Sequence, residues 1–276
     1  MTNVANKQIG YETMAVIFID ILGTKNNTGF DHKYAIHRIF HGEARLNERR
    51  REIHSNFDRY VWDFSDCAYF IYKRKQGCKL PDMRMLEIAM YNTSLSVLRI
   101  INEGYLVRGG IAVGDAFVDE LGFFGPAIEE AYLNESDKKR NRMPLILLDD
   151  KLGEDFQAYV KSARDPGNDP DNIIKQQLIE EMYSHDIPNL VEYEDGKYFL
   201  NIFYHMEGFG PILNMENVSL SLAQIKENFA KAYDDNVRVD TEQGVQNKWN
   251  WMKEYLARKH NRLNPNVVSG TFSSIL

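Results

Sequence analysis

The sequence predicts an α/β protein whose first half runs strand, helix, strand, strand, helix, strand, followed by a mainly helical C-terminal elaboration. Three observations carry this. The continuous β-branched run MAVIFI (14–19) marks a buried strand, and the two-residue break Ser65-Asp66 between two aromatic stretches marks a hairpin. Apolar residues three and four apart over 83–102 mark a helix packed on a sheet. Of 276 residues, 43% are hydrophobic and 26% charged, which suits a folded core of about 150–200 residues and excludes a mainly disordered chain.

The first strand stops at Asp20, and ILGTKNNTG (21–29) reads as a loop from its Gly and Asn content, so a carboxylate closes a buried strand. From His32 to Ile53 apolar residues recur at helical spacing among many charges, giving one amphipathic helix or two, with Arg49-Arg50-Arg51 as a solvated face. FDRYVWDF (57–64) and CAYFIYKR (67–74) form the hairpin, with Asp66 at or beside its tip. The second helix, 83–102, is stopped by Gly104. YLVRGGIAV (105–113) is strand-like and GDAFVDELGFF (114–124) a further hairpin. GPAIEEAY opens a helix after Gly125-Pro126, and PLILLDD (144–150) is a short strand. This order is the ferredoxin-like, or split βαβ, plan, in which the first strand is central and pairs with the third.

Residues 1–150 are therefore expected to form the core, and 151–276 an elaboration packed on it. That elaboration reads as a polar linker, SARDPGNDPDN (162–172), a late strand in DGKYFLNIFYH (195–205), and a helical stretch over 220–260. Trp249, Trp251 and Tyr255 on it read as packing residues.

With 33 basic and 40 acidic residues the net charge is -7, which argues against a broad nucleic-acid footprint. No apolar run reaches the ~18 residues of a membrane span, and the first fifteen residues lack a signal-peptide pattern. A cytoplasmic protein without stable membrane association is expected. Cys67 and Cys78 are expected to remain thiols. His32, His37, His41 and His54 fall on a charged helical stretch whose period is expected to scatter them, so they predict no metal cluster.

The chemistry lies in the carboxylates. The split βαβ plan brings the end of the first strand and the hairpin tip to one sheet edge, so Asp20 and Asp66 become neighbours. Two such aspartates suit Mg²⁺ or Mn²⁺, hard ions that take oxygen ligands and substrate phosphates. Backbone amides of Ile21, Leu22, Gly23 and Thr24 could cradle a polyphosphate. Phosphoryl or nucleotidyl transfer is the chemistry implied. Lys138, Lys139, Arg140 and Arg142 read as a solvated face, though they follow the third helix closely enough to reach a triphosphate, and Arg108 either braces the sheet edge or pairs with an acid.

FIDILG (18–23), FSDC (64–67), RGGIAVGD (108–115) and FFGPAIEEAYLNES (123–136), in that order, resemble the class III nucleotide cyclase catalytic domain. They look most like its Pycsar branch of bacterial pyrimidine cyclases. The resemblance covers about residues 14–150. It implies that Asp20 and Asp66 bind two Mg²⁺ or Mn²⁺ ions with help from the Ile21 carbonyl, and that Gly23 and Thr24 bind phosphate. Purine-specific relatives carry a Lys four residues before the hairpin Asp and an Asp three before the helix-opening glycine. Here these positions are Trp62 and Gly122, which favours a pyrimidine base and places Trp62 beside it. The Asn and Arg that stabilise the transition state in many relatives align near Glu129 and Leu133, so that role falls to another basic group, with Lys139, Arg140 and Arg142 as candidates.

The resemblance thus implies a homodimeric enzyme making 3′,5′-cyclic CMP or UMP from CTP or UTP, as the messenger synthase of an antiviral defence read by a separate cyclic-nucleotide-responsive effector. Two other readings stand beside it: a diguanylate-cyclase-like or polymerase-palm-like nucleotidyltransferase, and an inactive cyclase-like module that binds nucleotide or dimerises.

Overall fold

A computed structural model describes residues 10–23, 29–49, 56–137, 139, 141–164, 189–204, 222–239 and 242–262. The elements are β1 (Glu12–Leu22), α1 (Phe30–Arg49), β2 (Phe57–Phe64), β3 (Cys67–Arg74), α2 (Asp82–Asn102), β4 (Leu106–Val118) and β5 (Phe123–Phe124). After them come α3 (Pro126–Ser136), β6 (Ile146–Leu148), α4 (Asp150–Arg164), β7 (Val191–Glu194), β8 (Lys197–Leu200), α5 (Leu222–Val239) and α6 (Gln243–Arg262).

One sheet runs in the order β2-β3-β1-β4-β6-β8-β7, with β5 paired to β4. Its first four strands have the split βαβ arrangement: β1 is central, antiparallel to β3 on one side and β4 on the other. β6 joins β4 in parallel, and β8 and β7 extend the sheet antiparallel. The C-terminal half thus shares the sheet with the N-terminal half.

Period-2 alternation divides the sheet's faces. On β1, Ala15, Ile17, Ile19 and Ile21 enter the large core with Phe40, Phe70, Leu86, Met90, Phe199 and Tyr255. Met14, Val16 and Phe18 enter a smaller cluster with Ala112, Ala116 and the α3 residues Ala127, Ile128 and Ala131. Each fully buried Ile or Phe of the large core contributes about 1.5–3 kcal/mol.

Gly109 and Gly110 let β4 lie close to both β1 and α3. A Cβ at Gly110 would stand 2.1 Å from the Ala131 carbonyl oxygen, and one at Gly109 2.3 Å from that of Phe18. The paired glycines of RGGI are therefore a packing requirement.

Several expectations are corrected. β1 continues through Asp20 to Leu22, because Ile21 and Leu22 pair with Val107 and Leu106, so Asp20 lies inside the strand rather than at its end. Two elements escaped the sequence reading, α4 and β7. The apolar residues Leu152, Phe156, Tyr159 and Val160 of α4 do follow a helical period, whereas VEYE of β7 is too short and acidic to stand out. His37 and His41, read as scattered, are four residues apart on one face of α1, and both hydrogen-bond to Asp63 of β2 at 2.8 Å. Burial pushes the Asp63 carboxyl up, but the two histidine hydrogen bonds and charges outweigh it and hold the group below the usual carboxylate range. His54, Arg50, Arg51 and most of the 162–172 linker lie outside the described residues.

Candidate functional site

Asp20 and Asp66 meet at one end of the sheet. β1 carries Asp20 opposite Cys67 of β3 and Arg108 of β4. The hairpin between β2 and β3 turns at Ser65-Asp66, with Ser65 in the left-handed region at φ 59°. The Ile21 N–H donates to the Asp66 carbonyl oxygen at 2.9 Å, tying the tip to β1. Ile21 therefore cannot offer its N–H to a phosphate. Leu22 ends the strand, and Gly23 turns the chain at φ 87°, a conformation that favours glycine. Thr24 lies outside the described residues.

Arg108 lies against both Asp20 and a residue the sequence reading did not single out. Its Nη2 is 3.3 Å from Asp20 Oδ2, and its Nε forms a closer ion pair with Glu135 of α3. Glu135 is buried, so it is the arginine's main counter-ion. Burial pushes the Asp20 carboxyl above its usual range; Arg108 opposes this, Asp66 reinforces it, and Lys248 also opposes it. Glu135 is raised by burial too, against the pull of Arg108.

Lys248 comes from α6, far away in sequence. Lys248, Met252, Tyr255 and Lys259 are spaced four, three and four along that helix, so they share one face. The face is anchored beyond the site: the Tyr255 hydroxyl donates to Glu192 at 3.0 Å, Lys259 pairs with Glu192, and Trp249, Met252 and Tyr255 are buried. Burial and the charge of Arg108 hold the Lys248 ammonium below its ordinary value, against the opposite pull of Asp20 and Glu242. A lysine within an apolar stripe was the available sequence signal.

Trp62 lies on the same sheet face as Asp20, since Trp62 pairs with Tyr69 and Tyr69 with Phe18, two residues before Asp20. Its ring is 5.8 Å from Phe123, which lies 4.8 Å from Tyr69. Tyr69 is 4.7 Å from Phe18, and Phe18 is 5.6 Å from Tyr132. An aromatic row thus borders the carboxylates. Burial pushes the Tyr69 hydroxyl up to about 12, so it stays a neutral donor.

Lys139 is exposed, with its N–H bonded to Asp137 Oδ1 at 2.9 Å. Asn141 fixes the loop that carries it, donating to the Gly109 carbonyl at 3.2 Å. Because β6 runs parallel to β4, the loop enters the sheet at the end where Arg108 and Asp20 lie. Arg142 is exposed in the same loop, and Lys138 and Arg140 lie outside the described residues. Glu129 and Leu133 are exposed on α3.

The donors suit a hard divalent ion: two carboxylates close enough that the charge of one raises the other's pKa, with Arg108 held mainly by Glu135 rather than by Asp20. No helix among the described residues is long and apolar enough to cross a membrane.

No protein-family model matches the chain, and no curated protein does. Solved structures similar to it include the monomeric guanylyl cyclase domain of the RhoGC fusion protein from the aquatic fungus Blastocladiella emersonii, at 13% identity over 70% of this chain and 96% of that one, with a TM-score of 0.41. The guanylate cyclase domain of RhGC from Catenaria anguillulae in complex with GTP is similar at 15% identity over 53% and 82%, TM-score 0.35. A bacterial light-regulated adenylyl cyclase is similar at 8% identity over 82% and 59%, TM-score 0.34. At such values the functional reading rests on the chain's own residues.

Proposed function

We propose that this chain is a nucleotide cyclase that converts CTP or UTP to the 3′,5′-cyclic monophosphate and pyrophosphate. The observation that carries the reading is the convergence of Asp20 and Asp66 at the end of β1, fastened by the Ile21–Asp66 backbone bond. The reaction joins O3′ to the α-phosphorus and breaks the bond from that phosphorus to the pyrophosphate oxygen.

Asp20 and Asp66, with the Ile21 carbonyl, would hold two Mg²⁺ or Mn²⁺ ions. Such ions, when bound, lower the pKa of the ribose hydroxyl and neutralise charge on the leaving pyrophosphate. The protein's own task is then positioning and charge. Arg108, tethered by Glu135, and Lys248 supply positive charge beside the carboxylates, and Lys139 is a further basic residue on the loop before β6. With Glu129 and Leu133 near where many relatives of the resembled family carry Asn and Arg, Lys248 and Arg108 are, among the described residues, the best-placed cations for the developing phosphate charge. The Gly23 turn starts the phosphate-binding segment, with Leu22 and Thr24 beside it. Trp62, Tyr69 and Phe123 present aromatic faces on which a base can stack.

The resemblance further supports a homodimer and an antiviral role, with the cyclic product acting on a separate cyclic-nucleotide-responsive effector. The test is incubation of the purified chain with Mn²⁺ and each of ATP, GTP, CTP and UTP, with products identified by mass spectrometry. Cyclic CMP or cyclic UMP is expected. Asp66→Ala or Asp20→Ala should lower its formation by about a thousandfold, the rate equivalent of about 4 kcal/mol, while circular dichroism stays unchanged. A cyclic purine product would overturn the base assignment, and substantial turnover in either variant would overturn the carboxylate assignment. Four inert nucleotides would favour the inactive, nucleotide-binding module instead.

A further inference from the structure

His37, His41 and Asp63 lie on the far side of the sheet from this site. Asp63 and Trp62 are neighbours on β2 and so project to opposite faces, Trp62 toward the aromatic row and Asp63 toward α1. On α1, Ile36 and Phe40 are buried, and His37 and His41 form the adjoining row at the rim of the core. Their rings are 4.6 Å apart at an angle of 48°. His37 Nδ1 lies 2.8 Å from Asp63 Oδ2, and His41 Nε2 lies 2.8 Å from Asp63 Oδ1. One ligand atom from each residue can be chosen so that all three lie within 4.8 Å of one another.

We propose that His37, His41 and Asp63 form a second metal site, selective for a borderline divalent cation of the Zn²⁺ class and distinct from the Asp20–Asp66 site. Two neutral imidazoles and one carboxylate are a donor set that such ions prefer over Mg²⁺, which favours oxygen ligands alone. Around a tetrahedral ion with bonds of about 2.0–2.1 Å, ligand atoms stand about 3.3 Å apart. Each imidazole faces a different oxygen of Asp63, so an ion held by one carboxylate oxygen and both rings needs the widest ligand-atom separation, within 4.8 Å, to close toward that value through side-chain torsions. Coordination requires the Asp63-facing nitrogen of each ring to be unprotonated, so each neutral imidazole carries its one proton on the other nitrogen, and any further proton held between the rings and Asp63 leaves to solvent as the metal enters.

The histidine side chains are 53% and 38% exposed and that of Asp63 20%, so a fourth position is open to water or an external ligand. The ion would join α1 to the edge strand three residues before Asp66, and it would therefore brace the hairpin that carries that carboxylate. This inference does not rest on the nucleotide reading, because its residues, its side of the sheet and its ligand chemistry are all different.

The test uses the full chain stripped by a chelator and titrated with Co²⁺, whose d–d absorption reports tetrahedral coordination, and then with Zn²⁺ as competitor. One equivalent of Co²⁺ should give an intense band that Zn²⁺ removes and a large excess of Mg²⁺ does not. Zn²⁺ at a hundredfold excess over its Kd should raise Tm by roughly 5–10 °C. Both effects should vanish in His41→Gln and Asp63→Asn and persist in Asp20→Asn. Should a buried-rim variant fail to fold, His37→Gln alters the most exposed ligand and gives the same readout. No tetrahedral band in the unaltered chain, or a band that survives His37→Gln and Asp63→Asn, would overturn the proposal.

Discussion

Asp20 illustrates how the reach of one side chain depends on its neighbours. It lies inside β1, where burial and Asp66 push its carboxyl up and Arg108 and Lys248 pull it down. A bound cation would offset the burial that disfavours the charged carboxylate, as suits a ligand for hard divalent ions. Trp62 is the residue on which base choice turns in the proposed reading. Its ring leans on Phe123 beside the carboxylate end of the sheet, where purine-specific relatives of the resembled family place a lysine. Trp62→Lys should lower the ratio of pyrimidine to purine turnover about tenfold, or ~1.4 kcal/mol in relative transition-state binding. Competition between CTP or UTP and ATP or GTP gives the ratio directly, and an unchanged value would remove Trp62 from the base site.

Among the elements, α3 does the most to shape the site. It lies close on β4 because Gly110 has no side chain, and that closeness delivers Glu135 to Arg108. At its other side α3 meets the end of β6 through Glu130 and Asp149. Burial raises the Glu130 carboxyl, and the charge of Asp149 and a hydrogen bond with it raise it further. Asp149 also accepts the Leu152 N–H at 2.9 Å at the start of α4, so this carboxyl pair links two helices. The unfolded chain releases the Glu130 proton in the ordinary glutamate range, whereas the folded chain keeps it to higher pH. In that window the native state binds more protons, so stability falls as pH rises through it and levels off above. Glu130→Gln keeps a donor toward Asp149 and removes the titration. Its Tm should match that of the unaltered chain at acidic pH and exceed it at neutral pH, as read by thermal melts across the series.

For the whole molecule, the two sheet faces differ in cover. The large core draws residues from α1, α2, α4, α5 and α6, whereas α3 is the one helix among the described residues that joins the smaller cluster. That side leaves Tyr132 48%, Leu133 61% and Phe64 82% exposed, next to the carboxylate end of the sheet. Apolar exposure at such an edge suits a second copy of the chain, as the proposed homodimer requires. Sedimentation should show a dimer, and Leu133→Asp should shift it to monomer with unchanged circular dichroism. A dimer untouched by that change would place the interface elsewhere.

The strand order of the N-terminal half was legible because MAVIFI, the Ser65-Asp66 break and the spacing of 83–102 are local signals set by backbone geometry and side-chain period. Asp20 and Asp66 were legible for the same reason, Asp20 where the apolar run stops, although β1 itself continues to Leu22, and Asp66 at a turn. Glu135 and Lys248 were not, because their meaning lies in what they face: Glu135 looks like any charge on a short helix until Gly110 brings α3 onto β4. Lys248 looks like a surface lysine until Tyr255 and Lys259 bind α6 to Glu192. His37 and His41 were judged by their own helix alone, and only the pairing of α1 with β2 supplied Asp63. The sequence by itself thus determined the period of each element and the turns between them, which depend on neighbours along the chain. The tertiary structure alone decided which charges share a site, because Coulomb and hydrogen-bond energies depend on distances that chain separation does not encode.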